Sequence, residues 1–337
     1  MLNAAMIGFG GIAQGAHLPA YQTLFEKGKA RLVAVCDIDP ARFTQKVDIN
    51  LGAAAERPDD LHTYTDLEEM LRTESIDLVD ICLPTYLHAP MACDMLRRGY
   101  HVLSEKPMAI SPEDCAAMLE AARTSKGYLM IGQCLRFSAA YTFLRESLDS
   151  GRFGRPVSAV FRRMSAPPMW SWENWMMDRS KSGSCLLDLH IHDLDIIRFL
   201  FGEPQAVSCV TADVYAGDDV AHSRLLYDDM AVMAIGDWSQ QGAGFTADYR
   251  IGFEKATVIL EQDVVTVYPR EGEPWTPELS ADSMYMRELE SLIDSAVSGI
   301  PNTMNTPESA ALSVRLAETL RASARQNGKT LPWRDTL

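Results

Sequence analysis

The chain has 337 residues, with 31 basic side chains against 46 acidic ones and a net charge of −15. That balance disfavours nucleic acid and anionic membrane surfaces as partners. Its length predicts two domains, and no apolar run approaches the roughly 20 residues of a membrane span.

The first residues, Met1-Leu2-Asn3-Ala4-Ala5, carry no basic region and no twin arginine, so no export signal is expected. Cysteines stand at 36, 82, 93, 115, 134, 185 and 209, with no C-x-x-C pair. Free thiols in a reducing cytoplasm are therefore expected rather than disulfides.

Asn3 to Gly8 reads as a short buried strand. Gly8-Phe9-Gly10-Gly11-Ile12-Ala13 follows and matches G-x-G-x-x-G/A before a helix-compatible run. Gly8 permits the tight turn, Gly10 lets backbone approach a pyrophosphate, and Ala13 allows close packing of helix on strand. Gly11 and Ile12 open the helix whose N-terminus faces the phosphates. Arg31 to Asp37 is the next strand, and its terminal acid suits adenine ribose hydroxyls. NAD is therefore expected ahead of NADP. Asp39 competes for that role with Asp37, and Arg42 either covers the adenine or is simply solvated.

Thr65-Asp66-Leu67-Glu68 looks like a capping box. Asp77 to Leu83 is a buried strand, ending in Pro84-Thr85-Tyr86-Leu87-His88, and a helix runs to about Arg98. His101 to Ser104 is a further strand, followed at once by Glu105-Lys106-Pro107. Ser111 and Pro112 cap a helix to about Ser125, and Tyr128 to Gln133 is one more strand. Alternating strands and helices predict a doubly wound parallel sheet, a Rossmann-type α/β domain over 1–127. Its carboxyl edge gathers Gly8–Ala13, Pro84–His88 and Glu105–Pro107, with Lys106 at a strand end where such sheets bind ligands.

A second domain is expected over 128–337. A helix near 140–150 precedes strands at 157–164, 207–215, 223–227, 231–238, 246–253, 257–260 and 264–267. Helices near 282–298 and 307–327 close the chain. This predicts an α+β domain on an open, mostly antiparallel sheet. Its uncovered face predicts a homodimer or homotetramer.

Asp188-Leu189-His190-Ile191-His192 carries the densest chemistry. As a strand it would align Asp188, His190 and His192 for a metal. The long apolar run between Gly183 and Gly202 favours a helix, which sets Asp188 and His192 one turn apart. Asp188 then supports His192 in moving a proton, and no metal is expected. Upstream, Trp170, Trp172 and Trp175 suit a wall against sugar rings or a loop pinned to its own core.

Gly8-x-Gly10-x-x-Ala13, His17, Pro84…His88, Glu105-Lys106-Pro107 and Asp188-x-x-x-His192 together resemble the Gfo/Idh/MocA family, the glucose–fructose oxidoreductase and inositol dehydrogenase-like enzymes. The resemblance spans nearly the whole chain. It implies NAD- or NADP-dependent oxidation of a hydroxyl on a sugar, inositol or related polyol. Carried over, Lys106 and His192 handle the proton, Asp188 supports them, and Glu105 orients the lysine or lines the nicotinamide pocket. Pro84 and His88 fall with the cofactor-binding residues. Arg163, Trp175 and His190 are expected at the substrate, with Asp178 and Lys181 as further candidates. Many members have glycine at the place of His190 and asparagine at the place of Cys134; these departures bear on which substrate is taken. Other readings are an NAD-using glycosidase of the same fold, a non-catalytic dinucleotide sensor, and a metal hydrolase at His190 and His192.

Overall fold

The computed structural model describes residues 1–47 and 55–335. They divide into two compact units, Met1–Phe137 with Asp282–Ala311, and Ser138–Ala281 with Leu312–Leu337.

The first unit carries β1 (Leu2–Ile7), α1 (Leu18–Glu26), β2 (Ala30–Cys36), β3 (His62–Tyr64), α2 (Leu67–Thr73) and β4 (Leu78–Ile81). It continues through α3 (His88–Arg97), β5 (His101–Glu105), α4 (Pro112–Thr124) and β6 (Leu129–Gly132). The strands form one parallel sheet in the order β3-β2-β1-β4-β5-β6. That is the doubly wound order, with its switch point between β1 and β4. β4 and β6 are buried along their whole length, as expected where both sheet faces are covered. Ser111 caps α4 by accepting from the Asp114 amide, with Pro112 in its first turn. At α2 the cap is Asp66, which accepts from the Glu69 amide, one residue later than the expected Thr65.

The boundary differs from the one expected at 127. β6 pairs with β5, which draws the chain up to Phe137 into the first unit. Residues 282–311 also return to it, because the helix Met284–Ser298 buries Met286, Leu289, Leu292 and Ile293 as one stripe beside Met6, Tyr21 and Leu24.

The second unit opens with α5 (Ala139–Asp149), β7 (Pro156–Met164), α6 (Arg179–Ser182), α7 (Ser184–Asp188) and α8 (Ile191–Phe201). Six strands follow: β8 (Ala206–Ala212), β9 (Val220–Leu226), β10 (Ala231–Asp237), β11 (Thr246–Phe253), β12 (Ala256–Glu261) and β13 (Val264–Pro269). After α9 (Met284–Ser298) come α10 (Pro307–Ala324) and β14 (Leu331–Pro332). The sheet order is β13-β12-β11-β7-β10-β9-β8-β14. Its pairs are antiparallel except β7 with β10. The expected open, mostly antiparallel sheet is therefore present.

β7 alternates in the two-residue period of a strand: Ala159, Phe161 and Arg163 face inward, while Val160 and Arg162 face out. α8 packs on β7, covering the inward face. On the outward face one row runs Arg224, Met233, Val160, Arg250, Ile259 across five strands. Val160, Met233, Val210 and Tyr268 remain exposed in this unit.

Gly236 on β10 marks the tightest approach beneath the turn between α7 and α8. A Cβ there would lie 2.8 Å from the Cβ of His190. Gly236→Ala should cost about 1–3 kcal/mol by overpacking, read as a lower urea midpoint at unchanged slope; an unchanged midpoint would contradict this packing.

Candidate active site

β1 delivers the glycine turn. Gly8 has φ +90, and a Cβ there would meet the Cys82 carbonyl oxygen at 2.6 Å, so only glycine fits. A Cβ at Gly10 would meet nothing within 4 Å. The backbone at Gly10 is thus open to an approaching group, as a pyrophosphate cradle requires. Gly11, Ile12 and Ala13 lead into a wide turn, Ala13–His17, that buries Ala13, Gln14, Ala16 and His17 and runs on into α1.

Asp37, just past β2, is fixed by two amides: Phe9 N–H donates to Oδ2 at 2.7 Å and Asp39 N–H to Oδ1 at 2.9 Å. Each carboxylate oxygen keeps a lone pair for a ribose hydroxyl. Asp39 instead caps the short turn Pro40–Phe43, which separates it from the role it competes for. Arg42 lies on that turn, its Nε 3.5 Å from Asp39, and lines an open cavity with Phe9, Gln14, Phe43, Lys46 and Arg57. Gln14 was missed by sequence reasoning. Its side-chain amide nitrogen, Nε2, donates to the carbonyls of Phe9, Arg42 and Gln45, and its Oε1 accepts from the Val47 amide. It ties the glycine turn to the loop carrying Arg42.

The carboxyl ends of β4 and β5 bring four polar side chains into dry surroundings. Asp80 lies on β4, Cys82 just beyond it, and Glu105 ends β5; His17 sits between. His17 Nδ1 is 2.7 Å from Asp80 Oδ2, and His17 Nε2 is 3.0 Å from Glu105 Oε1. The other Glu105 oxygen accepts from the Lys106 amide at 3.0 Å, and the Lys106–Pro107 peptide is cis. Burial works against charge on His17, yet Asp80 and Cys82 raise its pKa well above the usual value. Burial likewise pushes Glu105 up, but His17 and Lys106 hold it below the usual carboxylate range. His17, Asp80 and Cys82 are the one cluster of possible metal donors among the described residues. Both His17 nitrogens are already engaged by carboxylates, which leaves no imidazole donor for an ion.

Pro84 precedes the turn Thr85–Leu87, and His88 opens α3. His88 is engaged at both ring nitrogens. Its Nδ1 and Nε2 lie 2.8 Å from the carbonyls of Pro107 and Leu83, and burial holds the ring below the ordinary imidazole value. His88 therefore joins the ends of β4 and β5.

In the second unit the expected single helix breaks at Leu189 and His190, giving α7 and α8. Asp188 ends the first and His192 lies in the first turn of the second, both helical as expected in place of a strand. His190, expected at the substrate, lies in the interior. It is fully buried, with Nε2 2.9 Å from Ser223 Oγ, and burial followed by the charges of Arg163 and His222 pushes its pKa down to about 3. Because the folded state takes up this proton later than the unfolded chain, whose histidine titrates near 6.5, the site loses stability as pH falls from there towards 3. Asp188 and His192 lie on helices, and the strand that would align them with His190 is not formed.

Arg163 is likewise placed in the interior. Its Nε and Nη2 meet the two Asp193 oxygens at 3.2 and 3.1 Å, and both residues are buried. Its fork is occupied by a carboxylate of its own unit. Trp175 is half-buried in the turn Trp172–Met177, where Glu173 and Asn174 both adopt positive φ. Met176 and Met177 pin that turn to a core of Cys185, Leu189 and Trp238, while Trp170 stays exposed. Asp178 caps α6 through Ser180, and Lys181 is half-buried beside it.

Two family models match this chain. Residues 2–133 match "Oxidoreductase family, NAD-binding Rossmann fold", and residues 141–259 match "GFO/IDH/MocA C-terminal domain". The chain belongs to the Gfo/Idh/MocA family. Its first unit is accordingly an NAD-binding Rossmann domain of an oxidoreductase family. The open backbone at Gly10 and the anchored Asp37 fit that dinucleotide.

Among relatives, inositol 2-dehydrogenase of Rhizobium meliloti is 31% identical over 283 residues, covering 78% of this chain and 80% of that protein. 1,5-Anhydro-D-fructose reductase of Ensifer adhaerens is 34% identical over 146 residues, 43% of either chain, so that match spans less than half of the reductase. Among solved structures, a levoglucosan dehydrogenase in complex with NADH and L-sorbose superposes with a TM-score of 0.85 at 17% identity, covering 99% of both chains; this likeness is one of fold.

If Arg163 is an interior ion-pair partner, Arg163→Met should destabilise the protein by about 3–5 kcal/mol, because Asp193 is left buried and uncompensated. Pairing it with Asp193→Leu should restore much of that loss in chemical denaturation. An Arg163→Met protein of normal stability that fails only to bind its substrate would instead return Arg163 to the substrate site.

Proposed function

We propose that this protein is an NAD-dependent dehydrogenase acting on a secondary hydroxyl of a sugar, inositol or related polyol. The observation that carries this is Lys106 at the carboxyl end of β5, its backbone held by buried Glu105 on the sheet edge that also presents the open Gly10 turn. The names of the relatives, an inositol dehydrogenase and an anhydrosugar reductase, support the substrate class.

In this proposal bound NAD supplies the hydride acceptor. The C–H bond of the carbinol carbon breaks with its electron pair, and the hydroxyl proton passes to the Lys106 amine. His192, supported by Asp188, is the second proton-handling residue. Gly8, Gly10, Gly11, Ile12, Ala13, Asp37, Arg42 and Pro84 are proposed to surround the dinucleotide, and Trp175 to line the polyol site. A hydrogen-bonding pocket selects among polyols, since an unmatched hydroxyl pattern leaves buried polar groups unpaired.

A cytoplasmic location is proposed from seven free, buried thiols; no described helix is long and apolar enough to cross a membrane. A homodimer or homotetramer is proposed through the outward sheet face, where Val160 and Met233 stand side by side between Arg224 and Arg250. Met233→Asp places a charge in the middle of that row. It should shift the protein to monomer in analytical ultracentrifugation while leaving its circular dichroism intact; an unchanged mass would move the interface elsewhere.

The test of the activity is absorbance of reduced nicotinamide after mixing the protein with NAD and a panel of sugars and inositols. Signal with NAD and one polyol, absent in Lys106→Ala while NAD binding persists, is the expected result. Near-normal turnover in Lys106→Ala would remove the lysine from the mechanism. NAD binding without turnover of any polyol would favour the glycosidase or sensor readings.

A further inference from the structure

We propose that His17 is a positioning residue for Lys106: held as an imidazolium between Asp80 and Glu105, it keeps Glu105 ionised, and Glu105 fixes the backbone from which Lys106 projects. The link to turnover rests on the dehydrogenase reading above; the charge of His17 does not.

Two buried carboxylates facing one ring favour the charge. A neutral imidazole has one N–H and one lone pair. Whichever tautomer it took, a lone pair would face a carboxylate, at 2.7 Å on the Asp80 side or 3.0 Å on the Glu105 side. Only the doubly protonated ring donates to both. All three side chains are buried, so no solvent shares the burden. Replacing the imidazolium by a neutral group would leave two carboxylates in dry protein, and one would take up a proton. Asp80 is also approached by the Cys82 thiol at 3.6 Å. Glu105 has, besides His17, only the Lys106 amide and the nearby Lys106 charge to hold its proton off. Of the two, Glu105 is the one whose protonation reaches Lys106, because it accepts the Lys106 amide.

The remaining neighbours do not substitute for His17. The Cys82 thiol lies 3.7 Å from Nδ1, and burial pushes its pKa up to about 12, so it is neutral. Tyr285 of α9 packs its ring 5.8 Å from the imidazole, and Tyr21 of α1 lies near Asp80; burial raises both phenols well above their usual values. Among the described groups facing the two carboxylates, His17 is thus the buried cation. The wide turn Ala13–His17 carries it inward alongside Gln14, so the element that opens the dinucleotide cradle also supplies this charge.

Two measurements test the proposal. In the full-length protein with bound NAD, histidine 15N shifts should show His17 doubly protonated at pH 7, where an ordinary histidine is mostly neutral. A neutral ring at pH 7 would overturn the proposal, and this holds even if substituted proteins fail to fold. In turnover, His17→Asn should lower kcat about ten-fold or more and move its acid limb up by about one pH unit, with little change in KM for NAD. The double variant His17→Asn with Glu105→Gln should lose that movement of the limb, since Glu105 no longer titrates. Unchanged kcat in His17→Asn, or a fall in kcat with the limb unmoved, would each overturn the positioning role. If the wild type oxidises no polyol, the dehydrogenase reading fails by itself, and the 15N titration still decides the charge of His17.

Discussion

A parallel sheet has dry faces on both sides, and this protein carries two carboxylates into the carboxyl edge of one. Asp80 lies within the buried strand β4 and Glu105 ends β5, both against a single imidazole. Isolated, either acid would be driven to its neutral form at a cost of several kcal/mol. Bridged by His17, Glu105 is held below the usual carboxylate range, and the bridge sets where β5 hands over to Lys106 and Pro107. His88 secures the same exit from the other side through the Pro107 carbonyl. Gly8 completes it, because its missing Cβ lets β1 close on the Cys82 carbonyl. The chemistry proposed for Lys106 depends on this bracing as well as on the lysine itself.

The second unit solves a related problem with different groups. α7 and α8 bring Asp188 and His192 onto a sheet, and the joint between them is buried. His190 fills the joint, neutral and bonded to Ser223, with Gly236 giving it room. One turn later Asp193 meets Arg163 from β7, which fixes α8 against the sheet. Asp195 is held by Ser313, which also accepts from Arg198. The residues around Asp188 and His192 are thus committed to holding the helix in place.

Much of this was legible in the sequence. The glycine pattern, the alternation of strand and helix, and the turn chemistry at Ser111 and Pro112 are local signals, and they placed five of the six strands of the parallel sheet and most element ends within a few residues; β3, only three residues long, carries no such signal. Long-range closure was not local. Nothing near residue 127 reveals that Met284–Ser298 returns to cover β1 and α1, since that depends on which apolar stripe meets which. The side chains expected at the substrate divide by the same logic. Trp175 keeps part of its ring exposed, whereas Arg163 and His190 look functional in one dimension because they are polar within apolar runs. In three dimensions each has a partner from a distant strand or helix. A signal for the buried network was present: Asp80 interrupts an otherwise apolar strand, and a charge there demands a counterpart.

The histidines make the general point. His17, His88 and His190 are all buried, and by residue type they are alike. Their charge follows from what faces the ring nitrogens. His17 faces two carboxylates and is held as a cation. His88 faces two carbonyls, whose partial charges do not outweigh burial, and it is neutral. His190 faces one hydroxyl, with Arg163 nearby, and is neutral more firmly still. A buried histidine thus becomes a source of positive charge only where at least one full negative charge lies within hydrogen-bond reach. In this chain that condition is met at the sheet edge that also carries the proposed base, where a second buried acid would otherwise compete for the proton the reaction moves.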